Sequence, residues 1–238
     1  MSAVGQAIIL AAGEGVRLRP ITFTTPKPLV PFYGRPLIDW AIDKVRSAGV
    51  TRIAVNTCHL GDQIAAYLAG SDIHVRRETT LLGTGGAVRN LRDWLTPGEP
   101  FYVLNADAVF AADPRELVHA PSLLVTREPR YANERRIIGT AGRFERLDER
   151  SDPAGYTFCG LTLADPGLPS RLPDGPSCIL RQGFVPYLDA LAVRLVETHA
   201  FFADTGTPEA LVDAHIRGQA WVRVHPGLTC RGTSPARP

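Results

Sequence analysis

The sequence lacks the features of a disulfide scaffold, a zinc site or a membrane span. Its four cysteines are widely spaced, with no C-x-x-C pair and no nearby histidine cluster, so we expect reduced thiols. The apolar stretches are short and broken by charge or glycine, and the N-terminus has no basic segment followed by an apolar run. We therefore expect a cytoplasmic protein without membrane contacts.

Net charge is also nearly absent, because 26 Lys and Arg face 24 Asp and Glu. No overall field favours nucleic acid, and we expect none as a partner. Any binding of anions must be local. We expect a monomer or a small homo-oligomer.

A chain of 238 residues with 45% hydrophobic content can bury one substantial core. In the first half, β-rich runs alternate with amphipathic stretches, which predicts a parallel sheet flanked by helices. The predicted strands are Ala7 to Ala11, Arg52 to Asn56, Ile73 to Arg76 and Phe101 to Asn105. The predicted helices are Leu37 to Ala48, Asp62 to Leu68 and Ala87 to Leu95.

The second half has weaker patterns. We expect strands at Ser122 to Thr126, Ile137 to Thr140 and Tyr156 to Leu163, and a loop at Pro166 to Pro176. Pro208 is typical of a helix start, and the pattern predicts a helix through Ile216. We predict one α/β domain over residues 1–230, with a doubly wound, mostly parallel sheet, a small mixed-sheet substrate subdomain and a frayed tail at 231–238.

A glycine-rich segment follows the first strand. Leu10 to Pro20 reads LAAGEGVRLRP, and small residues there let backbone N–H groups approach a polyphosphate. Open α/β sheets bind ligands at this end of a strand. The dinucleotide fingerprint is disfavoured because its third glycine is replaced by Leu18, and the Walker pattern is absent. A G-x-G alone is also compatible with a simple tight turn.

The segment continues through Thr25 to Pro31, which reads TPKPLVP, and on to Leu37. The whole run resembles the signature L-A-A-G-x-G-x-R-L-x-P-x-T-x-x-x-P-K-P-L of the nucleotide-sugar pyrophosphorylase family. Later segments resemble further family motifs in the expected order: LGTGGA at 82–87, NAD at 105–107, FCG at 158–160 and FADTGTP at 202–208. The resemblance implies a Rossmann-like fold. In size and arrangement, the sequence is most similar to short bacterial mannose or heptose 1-phosphate guanylyltransferases and N-acetylmuramate 1-phosphate uridylyltransferases.

The resemblance implies that a nucleoside triphosphate and a sugar 1-phosphate react, with Mg²⁺, to give a nucleotide sugar and pyrophosphate. It implies a nucleotide-binding part at about 1–107, a sugar-binding part at about 108–200 and a return to the core at about 201–224. The implied catalytic residues are Arg17, Lys27 and Asp107, and the implied metal ligands are Asp107 and Asp204. Nucleotide contacts are assigned to Leu10, Ala11, Ala12, Gly13, Gly15, Arg17, Thr84 and Gly85, and substrate contacts to Lys27, Glu78, Asn105 and Gly160.

Several alternatives stay open at this point. Lys27 could be a solvated surface lysine, and Glu78 could contact the sugar or cap a loop. Asp204 or Thr207 could cap the helix at Pro208, and we favour Thr207. Ala106 replaces the family's usual glycine, which adds a methyl group close to the ligand. The rival functions are a cytidylyltransferase for a non-sugar phosphate such as phosphocholine, and an inert sensor of sugar nucleotides.

Overall fold

The computed structural model describes residues 4–127, 136–148 and 155–224. Thirteen strands are named here in chain order: β1 (Gln6–Leu10), β2 (Pro31–Phe32), β3 (Arg35–Pro36), β4 (Arg52–Thr57), β5 (His74–Arg77), β6 (Phe101–Asn105), β7 (Ala108–Phe110), β8 (Ser122–Thr126), β9 (Arg136–Thr140), β10 (Arg143–Asp148), β11 (Thr157–Ala164), β12 (Arg194–Glu197) and β13 (Phe202–Asp204). The α-helices are α1 (Leu37–Ser47), α2 (Gly61–Tyr67), α3 (Gly83–Asn90), α4 (Leu168–Arg171) and α5 (Pro208–Val224).

Nine strands form one sheet in the order β5-β4-β1-β6-β11-β8-β12-β10-β9. The four strands of the first half are parallel, whereas β11 runs antiparallel to both β6 and β8. The predicted doubly wound α/β class is confirmed. The strands of the second half continue the same sheet, so its mixed part is joined directly to its parallel part.

The core lies on both faces of this sheet. Successive strand residues point to opposite faces, and both Ile8 and Ile9 of β1 are fully buried. Ile9 packs in the cluster that includes Ile38 and Val45 of α1, whereas Ile8 packs with Val88 of α3. Burial on both faces explains the continuous apolar run in β1.

Helix α1 shows how the sequence sets an element boundary. Ile38, Ala41, Ile42 and Val45 form its buried face. Gly49 follows in the left-handed conformation at φ 93°, and the Val50 N–H donates to the Val45 carbonyl at 3.2 Å. The prediction of this helix is confirmed to within one residue.

The predicted boundaries need correction elsewhere. Helix α3 begins at Gly83 and ends at Asn90, so the predicted helix from Ala87 to Leu95 starts too late and ends too late. The run of glycines disfavours a helix by propensity, but tertiary packing overrides this preference. Helix α5 extends to Val224, and the predicted loop at Pro166 to Pro176 contains the short helix α4. The predicted tail at 231–238 lies outside the described residues.

Two small antiparallel pairs complete the fold. In one of them β13 pairs with β7, which aligns Asp204 with Ala108. Among the described residues, no helix has the length and apolar character needed to cross a membrane. Cys58, Cys159 and Cys178 are free thiols, as predicted for them.

Candidate active site

A cavity of about 400 Å³ opens at the carboxyl ends of β1, β4 and β6. Strand β1 lies between β4 and β6, so the chain order reverses beside it. Ligands of open α/β sheets bind at such a reversal. Its lining residues are Leu10, Ala11, Ala12, Gly13, Gly15, Val16, Arg17, Lys27, Pro28, Asn56, Leu81, Gly83, Thr84, Asn105, Ala106, Asp107 and Gly206.

The segment after β1 forms one wall of the cavity. Gly15 adopts a left-handed conformation at φ 61°, and a Cβ there would lie 2.7 Å from Cγ2 of Thr22. The Thr22 hydroxyl donates to the Gly15 carbonyl at 2.8 Å, which fixes this turn. A glycine is therefore required both by the backbone conformation and by the neighbouring side chain. Arg17 follows on a single turn of 3₁₀ helix, and its side chain is exposed.

Lys27 is held at the floor of the cavity. It begins a short 3₁₀ turn between Pro26 and Pro28 and is only 7% exposed, so it is not the solvated lysine of the alternative interpretation. Its ammonium group donates to Oδ2 of Asp107. A buried lysine that shares a cavity wall with a carboxylate supplies charge where an anionic ligand would sit.

Asp107 follows the buried strand β6. Burial opposes its ionisation, but the charge and hydrogen bond of Lys27, with Arg17 nearby, hold the pKa of this carboxyl group below its ordinary value. The Thr205 hydroxyl donates to the Asp107 carbonyl at 2.8 Å. Asp107 is therefore ionised, and its backbone is tied to the segment after β13.

Asp204 lies beside this group without lining the cavity itself. It pairs with Ala108, the residue after Asp107, so the backbones of Asp204 and Asp107 lie close together. A Cβ on Gly206 would lie 3.0 Å from Oδ1 of Asp204 and 2.8 Å from Nη2 of Arg17. The Arg17 guanidinium group and the Asp204 carboxylate thus flank the same glycine at the cavity edge.

Thr207 caps α5, as favoured from the sequence. Its hydroxyl accepts a hydrogen bond from the Ala210 N–H at 3.2 Å. Because Thr207 caps this helix, the Asp204 carboxylate is not its N-cap. Among the described residues, no group of three or more His, Cys, Asp or Glu is arranged to hold a metal. Any ion at Asp107 and Asp204 would need further ligands from substrate or water.

The opposite wall is formed by the start of α3. Gly83 and Thr84 line the cavity, but Gly85 faces away from it. A Cβ on Gly85 would lie 2.6 Å from Oγ of Ser177 and 2.8 Å from Cδ2 of Leu172. The Gly85 N–H donates to the Ser177 carbonyl at 2.9 Å. This glycine permits close packing of α3 on a neighbouring loop.

Gly160 also has a packing position. It sits in an irregular part of β11 at φ 81°, and a Cβ there would lie 2.7 Å from the Ala108 Cβ and 3.3 Å from the Asn105 Cβ. Asn105 lines the cavity, whereas Gly160 lies behind it. Ala106 lines the cavity as well, but it is 1% exposed and packs in the core, so its methyl group is almost completely covered.

Glu78 is buried and lies outside the cavity lining. Its carboxylate accepts hydrogen bonds from Asn56 Nδ2 at 2.7 Å and from the Leu82 N–H at 3.1 Å. Burial raises the pKa of Glu78, and the hydrogen bonds from Asn56 and Leu82 oppose that rise. These contacts connect β4 to the start of α3.

Sequence reasoning missed Asn56, Val16, Leu81 and Gly206 as lining residues. Asn56 carried a usable signal, because it is a polar residue at the carboxyl end of an apolar parallel strand. Val16 and Leu81 carried none, since they are apolar yet 50% and 45% exposed.

Residues 6–122 match the family model described as nucleotidyl transferase. The chain thus resembles the nucleotidyl transferase family over residues 6–122. The resemblance seen in the N-terminal signature is thereby confirmed. The family match includes the glycine-rich segment, Lys27, α3 and Asp107.

Relatives align with most of the chain at low identity. The chain is 28% identical over 222 residues to the mannose-1-phosphate guanylyltransferase catalytic subunit beta of Danio rerio, covering 86% of this chain and 62% of that protein. It is 28% identical over 224 residues to mannose-1-phosphate guanylyltransferase 1 of Arabidopsis thaliana, covering 85% and 62%. The alignments therefore span less than two thirds of these relatives.

The fold has close structural counterparts. A UDP-glucose pyrophosphorylase from Acinetobacter baumanii has a TM-score of 0.80 at 16% identity, with 94% of this chain and 99% of that chain covered. At this identity the match establishes the fold alone. It supports the Rossmann-like architecture expected from the sequence.

Proposed function

We propose that the protein transfers a nucleotidyl group from a nucleoside triphosphate to a sugar 1-phosphate and releases pyrophosphate. One observation carries the proposal: Lys27, Arg17 and Asp107 meet a glycine-rich loop in a single cavity at the sheet reversal. The match to the family model supports the reaction class, and the guanylyltransferase relatives favour GTP and mannose 1-phosphate as the first pair to test.

In this reaction a sugar phosphate oxygen attacks the α-phosphorus, a bond forms there, and pyrophosphate leaves with the electrons of the broken P–O bond. Both reactants are anions, so the site must neutralise charge and align them. We assign Lys27 to the attacked α-phosphate and the sugar phosphate. Arg17, at the cavity edge, is assigned to the β- and γ-phosphates.

The glycine-rich wall is assigned to the triphosphate and the Gly83–Thr84 wall to the base. Backbone donors on the first wall suit phosphate oxygens, since small side chains leave them accessible. Asn105, at the end of β6, is assigned to the sugar phosphate side of the cavity. We retain residues 1–107 as the nucleotide-binding part and 108–200 as the sugar-binding part of this proposal.

Mg²⁺ fits the carboxylates of this site. Asp107 is held ionised, and Asp204 lies beside it on the paired strand β13. Carboxylate oxygens are the ligands that magnesium prefers, and substrate phosphates usually complete its shell. When bound, the ion would neutralise charge on the phosphates. We propose Asp107 and Asp204 as its protein ligands.

The decisive experiment is a matrix of the four nucleoside triphosphates against several sugar 1-phosphates, scored by pyrophosphate release with Mg²⁺. Mannose, heptose, glucose and N-acetylmuramate 1-phosphates cover the sugar classes, and phosphocholine tests the non-sugar alternative. We expect turnover with one of the sugar 1-phosphates. Turnover with phosphocholine alone would support the cytidylyltransferase alternative, and binding of a sugar nucleotide without turnover would support an inert sensor.

A further inference from the structure

Asn56 lies at the junction of β4 with the cavity and makes contacts in two directions. It is 2% exposed and lines the cavity. Its Oδ1 accepts a hydrogen bond from the Ala11 N–H at 2.9 Å, and its Nδ2 donates to Oε1 of Glu78 at 2.7 Å. Ala11 is part of the glycine-rich wall. One side of the Asn56 amide therefore holds that wall.

Glu78 extends the contact to the opposite wall. It is 5% exposed, and its second oxygen accepts from the Leu82 N–H at 3.1 Å. Leu82 immediately precedes Gly83 and Thr84, which line the cavity. The Leu82 carbonyl in turn accepts from the Ser177 N–H at 2.9 Å. A continuous series of hydrogen bonds thus runs from Ala11 through Asn56 and Glu78 to Leu82.

The two side-chain types are determined by the direction of these bonds. Ala11 presents an N–H donor, so the Asn56 oxygen must face it and the amide nitrogen must face Glu78. Leu82 presents another N–H donor from the other side. Glu78 therefore needs two acceptor oxygens, which an ionised carboxylate has and a glutamine lacks. Leaving such a buried donor without an acceptor costs about 1–3 kcal/mol.

We propose that Asn56 and Glu78 are a positioning pair that sets the separation of the two cavity walls. The pair acts through Ala11 and Leu82 and fixes the triphosphate site relative to the base site. This inference rests on the proposed function for the identity of the ligand. Small displacements of such walls matter, because a misplacement of about 1 Å can cost about a hundredfold in rate.

The test exchanges the amide group of Asn56 and the carboxyl group of Glu78 between the two positions. In Glu78→Gln, one N–H of the new amide faces a donor, from either Asn56 or Leu82. In Asn56→Asp, two carboxylates face each other where a hydrogen bond stood. In the double variant Asn56→Asp/Glu78→Gln, the new aspartate accepts from both Ala11 and the glutamine, whose oxygen accepts from Leu82. The double variant restores every bond, with the direction of the bond between positions 56 and 78 reversed.

Binding of GTP and of the other three nucleoside triphosphates is measured by calorimetry, and turnover is measured with the best substrate pair. We expect each single variant to bind the triphosphate at least tenfold more weakly, and the double variant to recover to within about threefold of the wild type. The Michaelis constant for the sugar phosphate should change little in all three. Glu116→Gln is the control, because its carboxylate accepts from the Asp113 N–H in a capping box away from the cavity.

A double variant as impaired as Glu78→Gln would overturn the proposal, since Glu78 would then act on the ligand directly. A change confined to the Michaelis constant of the sugar phosphate would assign Glu78 to the sugar and also overturn it. If a single variant fails to fold, the folding of the double variant and its triphosphate binding still test the positioning role. Absence of turnover in every protein, with triphosphate binding retained, would count against the proposed function alone.

Discussion

Lys27→Met separates the charge of Lys27 from the space that it fills. Methionine keeps an unbranched apolar stem in a position that is 7% exposed, but it removes the ammonium group that contacts Asp107. A cation on the transferring phosphoryl group contributes about 3 kcal/mol or more to the transition state, so turnover should fall by about a hundredfold or more. Arg17 cannot replace it, because it is exposed at the cavity edge.

The fold should survive this change. The Asp107 side chain is 33% exposed, so water can reach the carboxylate that loses its partner. Removing one member of a buried pair costs about 3–5 kcal/mol, but partial exposure should reduce the cost to about 1–2 kcal/mol. The variant should therefore remain folded at 25 °C. Its thermal unfolding temperature, measured by circular dichroism, checks this expectation.

The pKa of Asp107 supplies a second readout. In the wild type, burial raises this pKa, but Lys27 and then Arg17 lower it below the ordinary value of 3.8. Ionised Asp107 therefore stabilises the folded protein above that value, and this contribution is lost as the pH falls through the folded pKa. Without Lys27 the largest remaining effect is burial, so the pKa should rise and the stabilisation that ionised Asp107 provides should shrink. Carbon NMR titration of the carboxyl groups measures the shift.

Lys44→Met is the matched control because the chain contains only these two lysines. Lys44 is half-buried on α1 and donates to the Ala111 and Ala112 carbonyls at 3.4 and 3.3 Å. It does not line the cavity. Turnover of Lys27→Met within threefold of wild type, in a folded protein, would refute the assignment. An equal loss in both variants would indicate a general effect of removing a lysine.

Four further changes test the rest of the site. Asp107→Asn and Asp204→Asn should each abolish magnesium-dependent turnover while the fold is retained. Turnover measured over a magnesium titration checks this, with the exposed Asp213→Asn as control. If either variant kept the metal dependence of the wild type, the aspartate changed in it would have a structural role. Gly206→Val should displace Arg17 and Asp204, whose atoms lie 2.8 and 3.0 Å from the new Cβ, and raise the Michaelis constant for the triphosphate about tenfold. Gly85→Ala should lower the free energy of unfolding by about 1–3 kcal/mol, because its Cβ meets Ser177 and Leu172. Gly5→Ala, with nothing within 4 Å of its Cβ, is the control for both glycine changes, and denaturant unfolding that left Gly85→Ala as stable as Gly5→Ala would contradict the packing argument.

The parallel half of the fold could be predicted from sequence because its signals are local. Strand β6 is a continuous apolar run bounded by Pro100 and Ala106, and the prediction agrees with its observed bounds. The short strands β7 and β13 were not predicted. Each has three residues, and their pairing depends on contacts between distant parts of the chain. The position of Asp204 beside Asp107 follows from that pairing rather than from any local pattern.

The glycines show that a sequence motif locates residues that matter but does not give the physical reason why each glycine is required. Gly85 and Gly160 belong to motifs assigned to ligand contact, yet their missing Cβ atoms make room for Ser177 and Ala108. A motif cannot distinguish these cases, because a glycine near a ligand and a glycine near another backbone have the same sequence letter. Asn56 is the opposite case. It stands outside the recognised motifs, but a polar residue at the end of a buried strand must pair its amide, and here it pairs across the cavity. The physical requirement to satisfy buried polar groups therefore identifies a wall-positioning residue that motif comparison does not.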